Sequence, residues 1–339
     1  MGVVNGCITL NRVCNLRCKW CYAKDIGYDD KDTMPLSVAK HIVDIFSELR
    51  VKHIKLIGGE PTLYPKLFDL LTYINYKQCK TGFLTNGIKL SDKVFVKELG
   101  KHGVSNISVS LKGSTADIFK ETTGVDMYNN VIAGMENCLS SGISVVAFMV
   151  VTKENIAKLL ECIGGLCKIG IKKFRFTFEY NYDMSSGYKN YIERTQPRKI
   201  VEKFKAIYEE LDNITCQQIG VFPTFPACFW GADFIEMLAK KGQLAKGCPV
   251  KDRSDYIFDS KGNLIPCSAM YTKRYGQLYN DFTTGEELQA YCESEYVKQI
   301  YDECYVLPSK KCLKCTYNHI CDSCSCQWTN YSFNQLMQS

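Results

Sequence analysis

No uninterrupted apolar run in this chain is long enough to cross a bilayer, which excludes a spanning helix. The opening "MGVVNGCITLNRVCN" lacks a basic start followed by an apolar stretch, so no secretory signal is read there. Gly6 spoils the myristoylation pattern, and the tail "LMQS" is no prenylation box. The formal charge of +6 is thinly spread, and its densest basic stretch, "SKKCLKC", is too short to track a nucleic-acid backbone. Low-complexity tracts and repeats of solenoid period are also missing. These absences lead to the expectation of a soluble, cytoplasmic protein with neither membrane nor nucleic acid among its partners.

Cysteine, by contrast, is plentiful: 19 in 339 residues. A small secreted domain spends such thiols on disulfides, but a chain this long, 46% apolar, can build a large core without them. In a reducing compartment clustered thiols bind metal, whereas Cys79, Cys138, Cys162 and Cys167, scattered through apolar patterns, read as small buried hydrophobes.

From residue 4 to about 180, β-like runs alternate with helical ones. "VNGCITL", "HIKLIG", "KTGFLT", "SNISVSL", "SVVAFMVVT" and "KKFRFTFEY" read as six strands. Helices are expected over 35–50, 65–76, 91–103, 127–141 and 154–168, with Pro35 and Ser91 as openers. Such alternation implies parallel strands with helices outside and the ligand at the strands' C-terminal ends. Six units suit a partial barrel or an open doubly wound sheet. Beyond residue 180 the texture changes to an aromatic loop, "EYNYDMSSGYKNY". An amphipathic helix, "QPRKIVEKFKAIYEEL", and a turn-rich connector, "GVFPTFPACFWG", come next. The aromatic segments suit packing between domains better than a peptide groove. The division expected is 1–190, 191–244 and 245–339.

The first thiol group is "CNLRCKWC", with Cys14, Cys18 and Cys21 on the loop after the first strand. Structural zinc wants four ligands, and no nearby Cys or His offers a fourth. A disulfide would use two thiols and waste one. An iron–sulfur cube on three thiolates keeps one iron open for a small ligand.

C-x3-C-x2-C on the loop after the first strand of a six-unit βα barrel resembles the radical S-adenosylmethionine (SAM) superfamily. The aromatic before the third cysteine, Trp20, fits that pattern. The resemblance implies that the amino and carboxylate groups of SAM chelate the open iron, and that an electron cleaves the sulfonium. A 5′-deoxyadenosyl radical then takes hydrogen from substrate. It assigns SAM contacts to Trp20 and Tyr22, to Gly58, Gly59, Glu60 and Pro61 of "GGEPT", to Asn86 of "LTNG" and to Ser110 of "SVSLKG". Glu60 would accept from the SAM ammonium, and the two glycines would let backbone approach a ligand. By themselves these are turn residues that satisfy their own backbone.

The C-terminal group begins with Cys248 and Cys267 in C-x13-G-x4-C, around an expected hairpin turning at Lys261-Gly262-Asn263. Cys312, Cys315 and Cys321 follow as C-x2-C-x5-C, then Cys324 and Cys326. This resembles the SPASM extension, or its shorter twitch form, so the fold class implied is α/β: a partial (βα)6 radical SAM barrel, then a small Cys-rich α+β domain holding one or two auxiliary [4Fe–4S] clusters. The spacing after Cys321 departs from that pattern. Seven thiols fall short of the eight or so that two cubes take, and Cys228, Cys292 or Cys304 stand as sources of another. Zinc on C-x2-C with a further pair, or with His319, remains the alternative.

The function implied is oxidative modification of a ribosomally made peptide or protein side chain: a thioether or carbon–carbon crosslink, or side-chain oxidation. Auxiliary clusters would accept the electron, and a flavodoxin or ferredoxin would supply one. The second reading is a radical dehydrogenase of a sugar or aminocyclitol, and the third a non-enzymatic electron carrier or zinc protein. With thirteen residues before Cys14, leader recognition is expected from a separate protein or another surface. No acid, base or hydrogen donor is singled out.

Overall fold

In the computed structural model, residues 5–21, 31–179, 196–245, 248–305, 310–316, 318 and 321 are described. The six expected strands all form: β1 (Asn5–Thr9), β2 (His53–Ile57), β3 (Lys80–Thr85), β4 (Asn106–Leu111), β5 (Ser144–Val151) and β6 (Lys173–Phe178). Each pairs with the next in parallel. The five expected helices lie between them at Leu36–Glu48, Leu67–Tyr76, Lys93–Lys101, Tyr128–Ser140 and Leu159–Lys168. The third is capped by Asp92, not Ser91: its carboxylate accepts from the backbone N–H of Val94 (2.9 Å) and Phe95 (3.3 Å). A further helix at Ala116–Thr123 was not anticipated. Thr115 opens it by accepting from the Ile118 N–H at 3.3 Å, and Gly124, at φ +79°, ends it.

Strand register explains how one sheet serves two environments. A single row, Phe258, Ile8, Leu56, Phe83, Ile107 and Val145, crosses six strands and is buried throughout. Helices cover this face. Phe46 of Leu36–Glu48 meets Phe258 with ring centres 5.7 Å apart, and Phe204 of the helix Pro197–Ile214 meets Phe176 at the same distance. Each such side chain contributes roughly 1.5–3 kcal/mol on burial. The alternate residues face the other way, and several stay open: Leu84 is 40% exposed, and Phe148 and Arg175 are half-buried. Helices on one face and a second face that is buried beside β1 and the later strand Asp255–Phe258 but half-open at Leu84, Phe148 and Arg175 suit a partial barrel with a lumen. The apolar run of β5 thus serves helices on one side and lumen on the other.

The sheet extends past the six expected strands. The connector holds a seventh, β7 (Ile219–Val221), parallel to β6, followed by a short helix at Ala227–Trp230. On the opposite edge β8 (Asp255–Phe258) lies parallel to β1. The expected hairpin is present, with β8 returning antiparallel as β9 (Asn263–Leu264), which pairs in turn with β10 (Gly276–Gln277). The result is one ten-stranded sheet in the order β10-β9-β8-β1-β2-β3-β4-β5-β6-β7. Strand pairing therefore runs without a break from the N-terminal units into the Cys-rich segment.

The hairpin turn is fixed by Asp259, whose side chain is wholly buried. One carboxylate oxygen accepts from the backbone N–H of Lys261 (2.9 Å) and Asn263 (2.8 Å). The Asn263 amide donates to both oxygens, and Arg274 pairs with the second at 3.2 Å. Asp259→Ala strands these buried donors and is expected to cost about 2–3 kcal/mol, read as a lower urea midpoint at unchanged slope. A loss under about 0.5 kcal/mol, the range of an ordinary surface change, would deny the carboxylate this part in holding β8 beside β1.

Candidate functional site

The loop after β1 continues the sheet's hydrogen bonding as irregular backbone. Leu10 N–H donates to Ile57 O (2.8 Å), Gly59 N–H to Asn11 O (2.8 Å) and Glu60 N–H to Val13 O (2.7 Å). The glycine pair makes this possible. A Cβ on Gly59 would stand 2.4 Å from Val13 O and 2.6 Å from Arg12 O, and one on Gly58 would stand 2.8 Å from Asn11 O. The backbone that Gly58 and Gly59 admit is thus that of the cysteine loop itself.

Glu60 is 1% exposed, and its carboxylate knits the ends of β2 and β3 together. Oε1 accepts from Thr62 N–H (3.1 Å), Thr62 Oγ1 (2.6 Å) and Thr85 Oγ1 (2.6 Å), and Oε2 accepts from Asn86 N–H (2.7 Å). Pro61, buried, opens the short 3-10 turn that follows. The Asn86 side chain donates to Asn15 Oδ1 at 2.7 Å, which ties the end of β3 to the residue after Cys14, and accepts from Ile88 N–H at 3.1 Å. Ser110 is buried at the end of β4, where its hydroxyl accepts from Lys112 Nζ at 2.7 Å.

The three thiols of the loop come together at these strand ends. Cys18 is buried, and Cys14 and Cys21 are half-buried. Cys21 N–H donates to Cys18 O at 3.1 Å, closing a turn with half-buried Trp20 on it. The unanticipated helix anchors the loop from below: Arg17 and Lys19 N–H donate to the carbonyls of Thr123 and Thr122, both at 3.0 Å. Burial pushes the Cys14 thiol up to about 11, with the charges of Glu60, Cys18 and Cys21 adding to it. Burial raises Cys18 as well, opposed by the Lys112 ammonium. Buried thiols of this kind become thiolates by metal binding, which displaces the proton. The Leu16 N–H already donates to Cys14 Sγ at 3.4 Å, a bond that also favours bound thiolate. Among the described residues no three Cys, His, Asp or Glu side chains close on one point as ligands of a single ion. A cube gives each thiolate its own iron and spreads them wider, so this donor set fits a [4Fe–4S] cluster. Tyr22 lies outside the described residues.

The C-terminal thiols form two further gatherings. Cys248 and Cys267 lie within electrostatic reach of each other, and the Ala269 N–H donates to Cys267 Sγ at 3.4 Å. Burial pushes Cys267 up to about 11. Cys7 of β1 feels the charge of Cys267, a neighbour that the sequence did not suggest. Cys312 and Cys321 share their surroundings with Cys228 of the connector, while Cys315 is exposed on the turn after Cys312. Cys292 and Cys304 sit elsewhere: Cys292 lies among Tyr256, Tyr275, Tyr291 and Tyr301, and Cys304 between Tyr301 and Lys273. Cys324, Cys326 and His319 lie outside the described residues. The scattered cysteines pack as read. Cys138 and Cys162 are buried, with thiols raised to about 12 and about 11 by desolvation, and Cys79 and Cys167 border the core.

Gly59→Ala must push the Cys14 loop off the end of β2, since both obstructing atoms are backbone carbonyls. Anaerobic reconstitution of this variant is expected to yield about four fewer irons per chain, the content of one cube, with secondary structure by circular dichroism preserved. Full iron content would show that the loop tolerates the displacement.

The model of the radical SAM superfamily matches residues 8–164. Among curated proteins, GTP 3′,8-cyclase of Clostridium perfringens is 33% identical over 170 residues, covering 48% of this chain and 51% of that one. Mycofactocin maturase MftC of Mycobacterium tuberculosis is 27% identical over 158 residues, covering 46% and 40%. The chain therefore spans about half the length, or less, of these relatives. Among solved structures, Streptococcus suis SuiB bound to precursor peptide SuiA superposes with a TM-score of 0.69 at 18% identity, over 94% of this chain and 71% of SuiB. The anSMEcpe structure with bound AdoMet gives 0.70 at 18%, over 98% and 94%. At these identities the superpositions speak for the fold, and they extend it through the Cys-rich C-terminus. With the thiol loop, the strand ends and the sheet all in place, residues 8–164 form a radical SAM domain, of the kind that holds a [4Fe–4S] cluster and SAM.

Proposed function

We propose that this protein is a SPASM- or twitch-type radical SAM enzyme that oxidatively modifies a peptide or protein side chain, by a thioether or carbon–carbon crosslink or by side-chain oxidation. The observation that carries the reading is the second set of thiols, Cys248 with Cys267 and Cys312 with Cys321, in a fold shared over nearly the whole chain with SuiB and anSMEcpe. SuiB is seen with a precursor peptide, and anSMEcpe with AdoMet and a peptide. The three parts are taken as 1–190, 191–244 and 245–339. A flavodoxin or ferredoxin is the electron source.

When bound, the cluster on Cys14, Cys18 and Cys21 supplies the electron that cleaves SAM to a 5′-deoxyadenosyl radical, and clusters on the C-terminal thiols supply an electron acceptor. The chain's own residues bind and orient. The Gly58-Gly59 contact holds the cysteine loop over the strand ends, with half-buried Trp20 just before its third thiol. Three donors occupy Glu60 Oε1, so a lone pair of Oε2, which takes one, is the acceptor left for the SAM ammonium. Ser110 presents its hydroxyl, fixed by Lys112, toward the ribose or methionine portion, and Asn86 steadies the loop through Asn15. The half-open lumen face with Phe148, Phe222 and Arg175 receives the substrate and limits water near the radical.

A small-molecule substrate is the second reading, the one set out as a sugar or aminocyclitol dehydrogenase. What favours it is the 33% identity of the N-terminal half to a GTP 3′,8-cyclase, whose name records a nucleotide substrate.

The test is anaerobic, iron-loaded protein given SAM, dithionite and a short peptide encoded beside its gene. Methionine and 5′-deoxyadenosine are expected, together with a peptide lighter by a hydrogen pair in mass spectra. The triple variant C14A/C18A/C21A is expected to release no 5′-deoxyadenosine above background. An unchanged peptide alongside turnover of a sugar or nucleotide would reverse the two readings, and intact SAM with the wild type would end both.

A further inference from the structure

The C-x2-C-x5-C group supplies three thiols, and a fully cysteine-ligated cube takes four. We propose that Cys228, from the connector between β7 and the Cys-rich segment, is the fourth ligand of an auxiliary [4Fe–4S] cluster held by Cys312, Cys315 and Cys321. This rests on the reading above that the C-terminal thiols hold iron.

Four observations converge. In the run from Val221 to Trp230, Cys228 is the one residue classed as exposed; every other is buried except half-buried Phe222. Cysteine is ordinarily among the most buried residues; Cys228 stands outside the core as a residue, yet burial pushes its thiol up to about 11, so its sulfur is sheltered on the side of Cys321 and Cys312. Its neighbours fix it: Phe229 and Trp230 are in the core, and the Trp230 ring lies 4.7 Å from Phe178 and stacks on Phe234 at 5.8 Å. The connector also reaches the thiol group directly, because Ala227 N–H donates to Cys321 Sγ at 3.5 Å. An amide aimed at a sulfur one residue from Cys228 brings the two cysteines to the same place and supplies the kind of N–H···S bond that supports cluster thiolates.

The electrostatics agree. Cys321 and Cys312 both lie within charge-interaction range of Cys228. Arg198, held with its guanidinium 4.4 Å above the Phe229 ring, places a cation beside the same thiol. A cube on four thiolates carries net negative charge, which a neighbouring guanidinium offsets. Of the other sources of an eighth thiol, Cys292 lies among tyrosines and Cys304 beside Tyr301, Lys273 and Glu303, and Cys248 with Cys267 make a separate pair.

The test uses the full chain, reconstituted anaerobically, with iron and sulfide content and the electron paramagnetic resonance of the dithionite-reduced protein as readouts. Cys228→Ala and Cys312→Ala are expected to lose the same resonance, and the C228A/C312A double variant no further one. Cys228→Ser, whose oxygen can still bind iron, is expected to shift that resonance rather than remove it. Retention of the first cluster's resonance in every variant reports that the chain has folded, and exposed Cys216→Ala is the control that keeps all signals. If Cys228→Ala keeps every resonance while Cys312→Ala loses one, the assignment of Cys228 is overturned and the auxiliary cluster stands; Cys324→Ala or Cys326→Ala would then lose it instead. If Cys312→Ala also keeps every resonance, or metal analysis finds zinc on these thiols, the auxiliary cluster itself falls, and Cys228 with it.

Discussion

Contact between two stretches of backbone underlies the whole site. The cysteine loop lies so close to Gly58 and Gly59 that a single added carbon at either position meets a carbonyl or side-chain oxygen inside 3 Å. Side chains cannot substitute for that approach, because the loop's carbonyls are hydrogen-bonded to the glycine segment itself. Glu60 then carries the constraint outward. Buried and accepting from Thr62, Thr85 and Asn86, it makes the ends of β2 and β3 one rigid unit, to which Asn86 adds the cysteine loop through Asn15. A thiol set held in this way needs little reorganisation on receiving a cluster, and preorganisation of that kind is what positions a reactive cofactor.

The two halves of the chain meet at the same place. Arg12, two residues before Cys14, lies 4.6 Å above the Tyr271 ring, and Tyr271 follows Cys267 by four residues. The Tyr271 hydroxyl bonds to Ser260 Oγ at 2.8 Å, and Ser260 contacts Asp32, whose carbonyl accepts from the Arg12 N–H. Burial raises Tyr271, while the Arg12 charge works against the rise. The segment carrying the second thiol pair is thereby bolted to the loop carrying the first.

Much of this was legible in the residues because local rules and tertiary demands agree. β1 to β6 announce themselves by short apolar runs between helical periods, and the cysteine spacing marks the loop. What escaped did so for physical reasons. The strand Ile219–Val221 is three residues long inside a Pro- and Phe-rich segment, so no periodicity reveals it. Asp255–Phe258 reads correctly as one arm of a hairpin, but nothing local says that its other edge pairs with β1. The helix Ala116–Thr123 did carry signals, a threonine cap and a closing glycine, hidden by a weak apolar stripe. The roles of Asn15, Thr85 and Lys112 are visible only once separate strand ends are brought together. Cys228 was one of three thiols the sequence could not rank, and its neighbours in space separate it from the other two.

β1 is flanked on one side by β2 and on the other by β8, and the side-chain bond from Asn5 to Asp255 joins residues 250 positions apart. During synthesis, then, the strand that leads into the cysteine loop keeps one row of peptide groups unpaired until three quarters of the chain has emerged. A nascent molecule holds a raw β edge throughout that interval, and nearby stands a trio of thiols that have yet to receive metal. Ribosome-bound chains of this protein pass through a stage in which oxidation and mispairing threaten neighbouring residues, and the arrival of the C-terminal hairpin closes the open strand edge.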